Sequence, residues 1–151
     1  MVVVFTCNHC PYAVAYEDRL IQLQADFAQQ QVQLIAICAN DAVNYPQDSF
    51  ERMKERALSK EFNFPYLHDE SQTVATNYAA TRTPHAYVLG KDTTDWKVIY
   101  QGAIDDNDNY RMPQPITRKY VEEAIQHVLE GNVSALPNVQ PVGCSIKWKS
   151  V

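Results

Sequence analysis

The chain reads as an α/β fold, a central mixed β-sheet flanked by helices, and three observations predict it. Two short apolar runs, Val2 to Thr6 and Val32 to Ala39, have the density of strands buried on both faces. Between them Ala13, Tyr16, Leu20, Leu23 and Phe27 recur at spacings of three and four, one apolar face of a helix that ends near Gln29. Farther along, His85 to Leu89 and Lys97 to Gln101 flank a polar turn over Gly90 to Asp95 and read as a hairpin. A right-handed parallel βαβ unit joined to an antiparallel hairpin makes the sheet mixed.

The remaining elements follow in order. Asn40 to Pro46 is a loop, and Asp48 is placed to cap a helix with Glu51 returning the contact, so that Phe50, Met53 and Ala57 face inward. A short helix is expected over Ser71 to Ala79. The acidic, Asn-rich segment Asp105 to Asn109 reads as a solvated turn rather than a cation site. It leads past Pro113 and Pro115 into a last helix, Thr117 to Glu130, with Tyr120, Ala124, Ile125, Val128 and Leu129 toward the core and Gly131 as its stop. Trp96 and Trp148 are expected to be packing residues. Residues 1–131 are expected to form the domain and 132–151 a carboxy-terminal tail packed on it.

Composition narrows the function. With 151 residues, 46% of them hydrophobic, the chain can build one core without disulfide staples. A net charge of -5 argues against nucleic acid or an anionic membrane as partner. No apolar stretch approaches the roughly 18 to 20 residues of a membrane span. Four cysteines are too few for a secreted disulfide scaffold, and the apolar opening lacks a basic leader, so a cytoplasmic location is expected.

The cysteines instead suggest chemistry. Cys7-Asn8-His9-Cys10-Pro11 stands where the first strand meets the first helix. There unsatisfied N–H groups and the helix dipole favour a thiolate, expected at a solvent-facing Cys7, with Cys10 one turn later close enough to resolve a mixed disulfide. A two-residue spacer is also common in zinc sites. Cys38, inside an apolar strand, is expected to be buried and inert. Glu17 and Asp18 are expected to be solvated rather than proton carriers. His85, just after Pro84, is expected to be structural, with proton transfer as the alternative.

The chain resembles the thioredoxin-like superfamily, in its peroxiredoxin-like branch of AhpC/TSA and TlpA-like redoxins. The resemblance is carried by FTCNHCPY (Phe5 to Tyr12), ANDAVNYPQDSFERMK (Ala39 to Lys54), FPYLHDESQTVATNYAATRTPHAYV (Phe64 to Val88), IDDN (Ile104 to Asn107) and PVGCSIKW (Pro141 to Trp148). It implies a thioredoxin fold, here lacking the amino-terminal strand that relatives carry before the one leading into CxxC. Loss of that strand would leave a sheet flank open to edge pairing into a homodimer. It implies a cis-proline at Pro84, with the backbone of Thr83 offered to an incoming substrate strand. The implied activity is thiol–disulfide exchange with Cys7 as nucleophile and Cys10 as resolving thiol. Protein or small-molecule disulfides and a dithiol reductant would be its partners, and no cofactor or resident metal is called for.

His9 stands as the histidine does in the CGHC of protein disulfide isomerases. That would tune the pair from the roughly -270 mV of thioredoxin toward about -180 mV. Peroxiredoxins carry PxxxTxxC; with Cys10-Pro11 laid on the peroxidatic Cys-Pro, Cys7 takes the threonine position and Val3 the proline position. A thiol peroxidase using Cys10 or Cys7 is therefore the second reading. A copper(I) or zinc carrier using Cys7, Cys10 and His85 is the third. Cys144 is either a tail-packing residue or a further resolving thiol.

Overall fold

The computed structural model describes residues 1–150. The chain runs β1 (Val2–Phe5), α1 (Pro11–Val14), α2 (Glu17–Phe27), β2 (Leu34–Cys38), α3 (Phe50–Ser59), β3 (Tyr66–His68), α4 (Thr73–Tyr78), β4 (Arg82–Thr83), β5 (His85–Asp92), β6 (Asp95–Gly102), α5 (Tyr120–Leu129) and β7 (Cys144–Ser145). Five strands form one sheet of order β3-β2-β1-β5-β6, and β4 pairs with β7 in a second, two-stranded sheet. β1 is parallel to β2 and antiparallel to β5; β2 and β3 are parallel, β5 and β6 antiparallel. The mixed sheet is as predicted. Its edges are β3 and β6, and β1 lies in the middle.

Alternation along β1 divides the core in two. Val2 and Val4 face α2 and α5, packing with Leu20, Leu23, Phe27, Val121 and Ile125. Val3 and Phe5 face the other way, among Ala75, Tyr87, Leu89 and Ile146. Each such buried side chain contributes about 1.5–3 kcal/mol. Burial on both faces fixes the register, because a one-residue slip would exchange the two sets.

Several expectations are corrected. The single helix after Pro11 is broken: α1 ends at Val14, and the chain re-enters a helix after Tyr16. Tyr16 turns into the core, and its hydroxyl donates to Asp105 Oδ1 at 2.7 Å. Arg19 reaches both Asp105 oxygens at 2.7–2.8 Å. Asp105 is 4% exposed, so this loop opens on a buried anchor rather than a solvated turn. Glu17, expected in solvent, is also buried and accepts from Arg56 at 2.5–3.2 Å; Asp18 is exposed and meets Lys60. In both cases a cation from a distant segment replaces the lost hydration.

β2 begins at Leu34 rather than Val32. The chain leaves α2 through Gln31 in the left-handed region, and Gln24 takes up the Val32 carbonyl (2.9 Å) and the Leu34 amide (2.7 Å). The β5–β6 hairpin is longer than read. β3, β4 and β7 are too short for periodicity to reveal. Phe50, Leu129, Trp96 and Trp148 are substantially exposed, while Val121 is buried.

Residues 132–150 run first beside β6 and then on to the Thr83 turn and the loop after β2. Leu136 N donates to Ile99 O at 2.8 Å and Ala103 N to Val139 O at 3.1 Å. This close pairing requires Gly102, whose φ is +136° and whose Cβ would stand 1.7 Å from the Val139 oxygen.

Asp105→Ala is expected to destabilise the protein by about 2–3 kcal/mol in urea denaturation, the scale of lost hydrogen bonds to a charged group. The cost stays below that of a fully buried pair because Arg19 can turn to water. Asp105→Asn, which can still accept from Tyr16, is expected to lose less.

Candidate active site

Two strand ends create the site. The register pairs Phe5 of β1 with His85 of β5, so the residues following β1 lie beside those preceding β5. Thr6 N still donates to Ile37 O at 2.8 Å, and the chain then bends through Cys7–Cys10. Cys10 is the N-cap of α1 and Pro11 its first residue, where a missing N–H costs nothing. The Thr83–Pro84 peptide is cis. Cys7 Sγ lies 3.6 Å from Thr83 Oγ1, and Cys10 Sγ lies 3.5 Å from Thr83 O. All four cysteines are free thiols.

Neither sulfur of the pair faces solvent: Cys7 is 1% and Cys10 0% exposed. The expected solvent-facing first thiol is not observed, because the helix starts after the second cysteine and both residues pack inward with Ala13, Cys38 and Met53, each sulfur against Thr83. β7 lies antiparallel to β4 with Cys144 opposite Thr83. The Thr83 edge expected to receive a partner strand is thus occupied by the chain itself.

The two sulfurs lie in one buried cluster, and their mutual contact lowers the pKa of Cys10 and raises that of Cys7, so a thiolate is favoured at Cys10. The Cys7 thiol stabilises that thiolate, and the Ala13 amide together with the thiol and amide of Cys144 also point to it. Cys7 is pushed far up by its bond to Cys10, by burial and by the nearby Asp48 carboxylate. The thiolate is expected at Cys7 from the motif; the direction here favours Cys10 instead. Burial and Asp48 push Cys38 up to about 12, which makes it inert. Burial first, then its contact with the Cys10 thiolate, lifts Cys144 to about 11.

Asp48 is the residue that spacing misassigned. Ser49, not Asp48, caps α3, accepting from Arg52 N at 3.3 Å. Asp48 is fully buried and accepts from Asn8 N (2.7 Å) and Asn40 Nδ2 (2.9 Å), with His9 Nδ1 2.5 Å away. Asn8 also accepts from the Tyr66 hydroxyl at 2.8 Å and donates to Gln47 O at 2.9 Å. The spacer residues are therefore fastened to two segments, the Gln47–Asp48 stretch before α3 and β3. Cys7, His9 and Asp48 bring ligand atoms within 4.8 Å of one another, so a metal would find donors here. His85 belongs elsewhere: its Nδ1 accepts from Thr81 N at 3.2 Å and its ring stacks on Tyr87. Burial lowers its pKa.

Two predictions follow from these charges. Titration of the reduced protein by thiolate absorbance is expected to show one ionisation well below the ordinary thiol value of 9.0, removed by Cys10→Ser and retained in Cys144→Ser. His85, buried and neutral when folded, binds fewer protons than it does unfolded, where it titrates near 6.5. Its share of stability is present above that value and is lost as pH falls toward the folded one. His85→Gln is expected to reduce the loss of urea stability between about pH 7 and 5.

Residues 1–98 match the AhpC/TSA family. The chain superposes on an uncharacterized conserved protein from Geobacillus kaustophilus with a TM-score of 0.87 at 39% identity, covering 99% of this chain and 77% of that one. A hypothetical protein from Sinorhizobium meliloti 1021 gives 0.83 at 31% identity, over 99% and 80%. A secreted Mycobacterium tuberculosis disulfide oxidoreductase homologous to E. coli DsbE shares the fold alone, at a TM-score of 0.53 and 14% identity over 87% and 80%. No curated protein matches the chain. Sheet order, site position and family match converge: the chain has a thioredoxin-like fold and belongs to the AhpC/TSA family.

Proposed function

We propose that the protein is a thiol–disulfide oxidoreductase whose Cys7 and Cys10 cycle between dithiol and disulfide. The observation that carries this reading is the pair itself, two free thiols in one buried cluster, each held against Thr83 at 3.5–3.6 Å. Cys10 as thiolate attacks a substrate disulfide, forming a mixed disulfide and releasing one substrate thiolate. Cys7 then attacks Cys10 Sγ, gives up its proton and releases the second substrate thiolate. Two electrons pass to the substrate, the Cys7–Cys10 disulfide remains, and a dithiol reductant restores the pair. The order of attack, Cys10 before Cys7, is the reverse of the order expected from the motif, because the helix N-cap belongs to Cys10 and the Asp48 carboxylate opposes charge on Cys7.

The neighbours have supporting roles in this reading. His9, in contact with Asp48, offsets that carboxylate when protonated and so tunes Cys7. Thr83 and Pro84 form the wall of the site, and a substrate aligned there takes the place that β7 holds in this structure. Protein or small-molecule disulfides are the substrates, and a reducing cytoplasm suits a centre that must be returned to dithiol. Membership of the AhpC/TSA family favours thiol peroxidase as the second reading, with Cys10 as the peroxidatic sulfur. The residue standing at the activating threonine position is Cys7, which weakens it.

Equilibration across a glutathione series, with peptide mapping, is expected to show a reversible disulfide at Cys10 with a potential between about -270 and -180 mV. Cys10→Ser is expected to abolish capture of substrate disulfides. A pair that stays reduced throughout would overturn the reading, and turnover with peroxide at rates exceeding disulfide exchange would replace it with the peroxidase.

A further inference from the structure

The dithiol is closed to solvent, yet a third thiol reaches it. β7 lies along β4 with Cys144 opposite Thr83, whose carbonyl Cys10 Sγ meets at 3.5 Å, and Cys144 packs against the buried cluster that holds Cys7 and Cys10. Cys144 itself is only half-buried, so of the three clustered thiols it is the one with access to water.

The approach is built rather than incidental. A Cβ at Gly143 would lie 2.1 Å from the Thr83 oxygen, closer than any side chain allows, so only glycine lets the tail lie against this turn. Past Cys144 the segment is bolted down. Ile146 is 3% exposed and its amide donates to Thr81 O at 3.1 Å. Lys147 N donates to Asn40 Oδ1 at 2.9 Å, Asp41 N to Lys147 O at 2.8 Å, and Lys149 N to Gln72 Oε1 at 3.0 Å. Asn40 also donates to Asp48, the carboxylate beside Cys7, so the tail anchor and the site share a residue. A cysteine on a strand laid against Thr83 occupies the place an incoming disulfide partner's cysteine would take.

We propose that Cys144 is a third redox-active thiol of this centre, presented to Cys10 by the chain's own tail as a tethered substitute for a substrate strand. This rests on the Cys7–Cys10 exchange proposed above. Starting from the Cys7–Cys10 disulfide, the Cys144 sulfur attacks Cys10 Sγ. The Cys10–Cys144 bond forms, the Cys7–Cys10 bond breaks, and Cys7 leaves carrying the proton that Cys144 gave up. No net oxidation occurs. The disulfide moves from a sealed position to one that an external thiol can reach, and an incoming thiol attacking Cys144 returns Cys10 to its thiolate form. The same attack on a mixed disulfide at Cys10 releases the substrate thiol without Cys7.

The test uses the full chain as wild type, Cys7→Ser, Cys144→Ser and Cys7→Ser/Cys144→Ser, each checked for native near-ultraviolet circular dichroism. Reduced proteins are exposed to limiting oxidised glutathione, quenched in acid, alkylated and mapped by mass spectrometry. In Cys7→Ser a monomeric Cys10–Cys144 disulfide is expected. In the double variant glutathione is expected to persist on Cys10 about tenfold longer or more, because a tethered thiol acts at a high effective concentration. Gly143→Val, which forces the tail away from Thr83, is expected to lower the yield of Cys10–Cys144 in the Cys7→Ser background. The proposal is overturned if Cys144 of Cys7→Ser is fully alkylated while Cys10 stays glutathionylated. Should wild type still close Cys7–Cys10 in that case, the dithiol reading survives alone. No disulfide at Cys10 in any variant would defeat both.

Discussion

β1 is hydrogen-bonded along both edges, and the geometry of the redox centre depends on that. Parallel pairing to β2 on one side and antiparallel pairing to β5 on the other bring one end of three strands together. The segment leaving β1 carries Cys7 and Cys10, the segment entering β5 carries Thr83 and Pro84, and the chain leaving β2 carries Asn40. Because β1 is buried on both faces, its register cannot slip without turning one apolar set onto the other's neighbours. The precision with which Thr83 meets both sulfurs is inherited from that packing.

Buried charge supplies the asymmetry that packing alone would not. Two thiols in contact share a proton, and which sulfur keeps the charge depends on their surroundings. Asp48 lies on the Cys7 side and collects the donors of Asn8 and Asn40, while Cys10 faces amides at the start of α1 and on β7. Glu17 with Arg56, and Asp105 with Tyr16 and Arg19, hold α2 at its start from two other directions. An unpaired buried carboxylate would be costly, so each of these contacts also fixes where a distant segment must lie.

The tail belongs to the site as much as the motif does. It runs beside β6 where Gly102 makes room for Val139, and it meets the Thr83 turn where Gly143 makes room for a carbonyl. Two glycines far apart in the chain thus serve one path. That path lays Cys144 against the cluster that holds the dithiol, so the surroundings of the pair depend on where the tail runs.

The fold class, the central strands and the placement of Cys7 and Cys10 at a strand-to-helix junction were legible in sequence, because burial on two faces and helical periodicity are local patterns. Cys38 was legible for the same reason, since it sits in an apolar run, whereas the role of Pro84 was implied only by the family resemblance. The break before Glu17, the burial of Glu17 and Asp105, and the true role of Asp48 were not. An acidic residue near a helix start looks alike whether it caps an amide or binds a partner forty residues away. The polarity of the dithiol and the approach of Cys144 were equally hidden. Both depend on groups brought together across the whole chain, and only the tertiary structure sets the field and the contacts that those groups share.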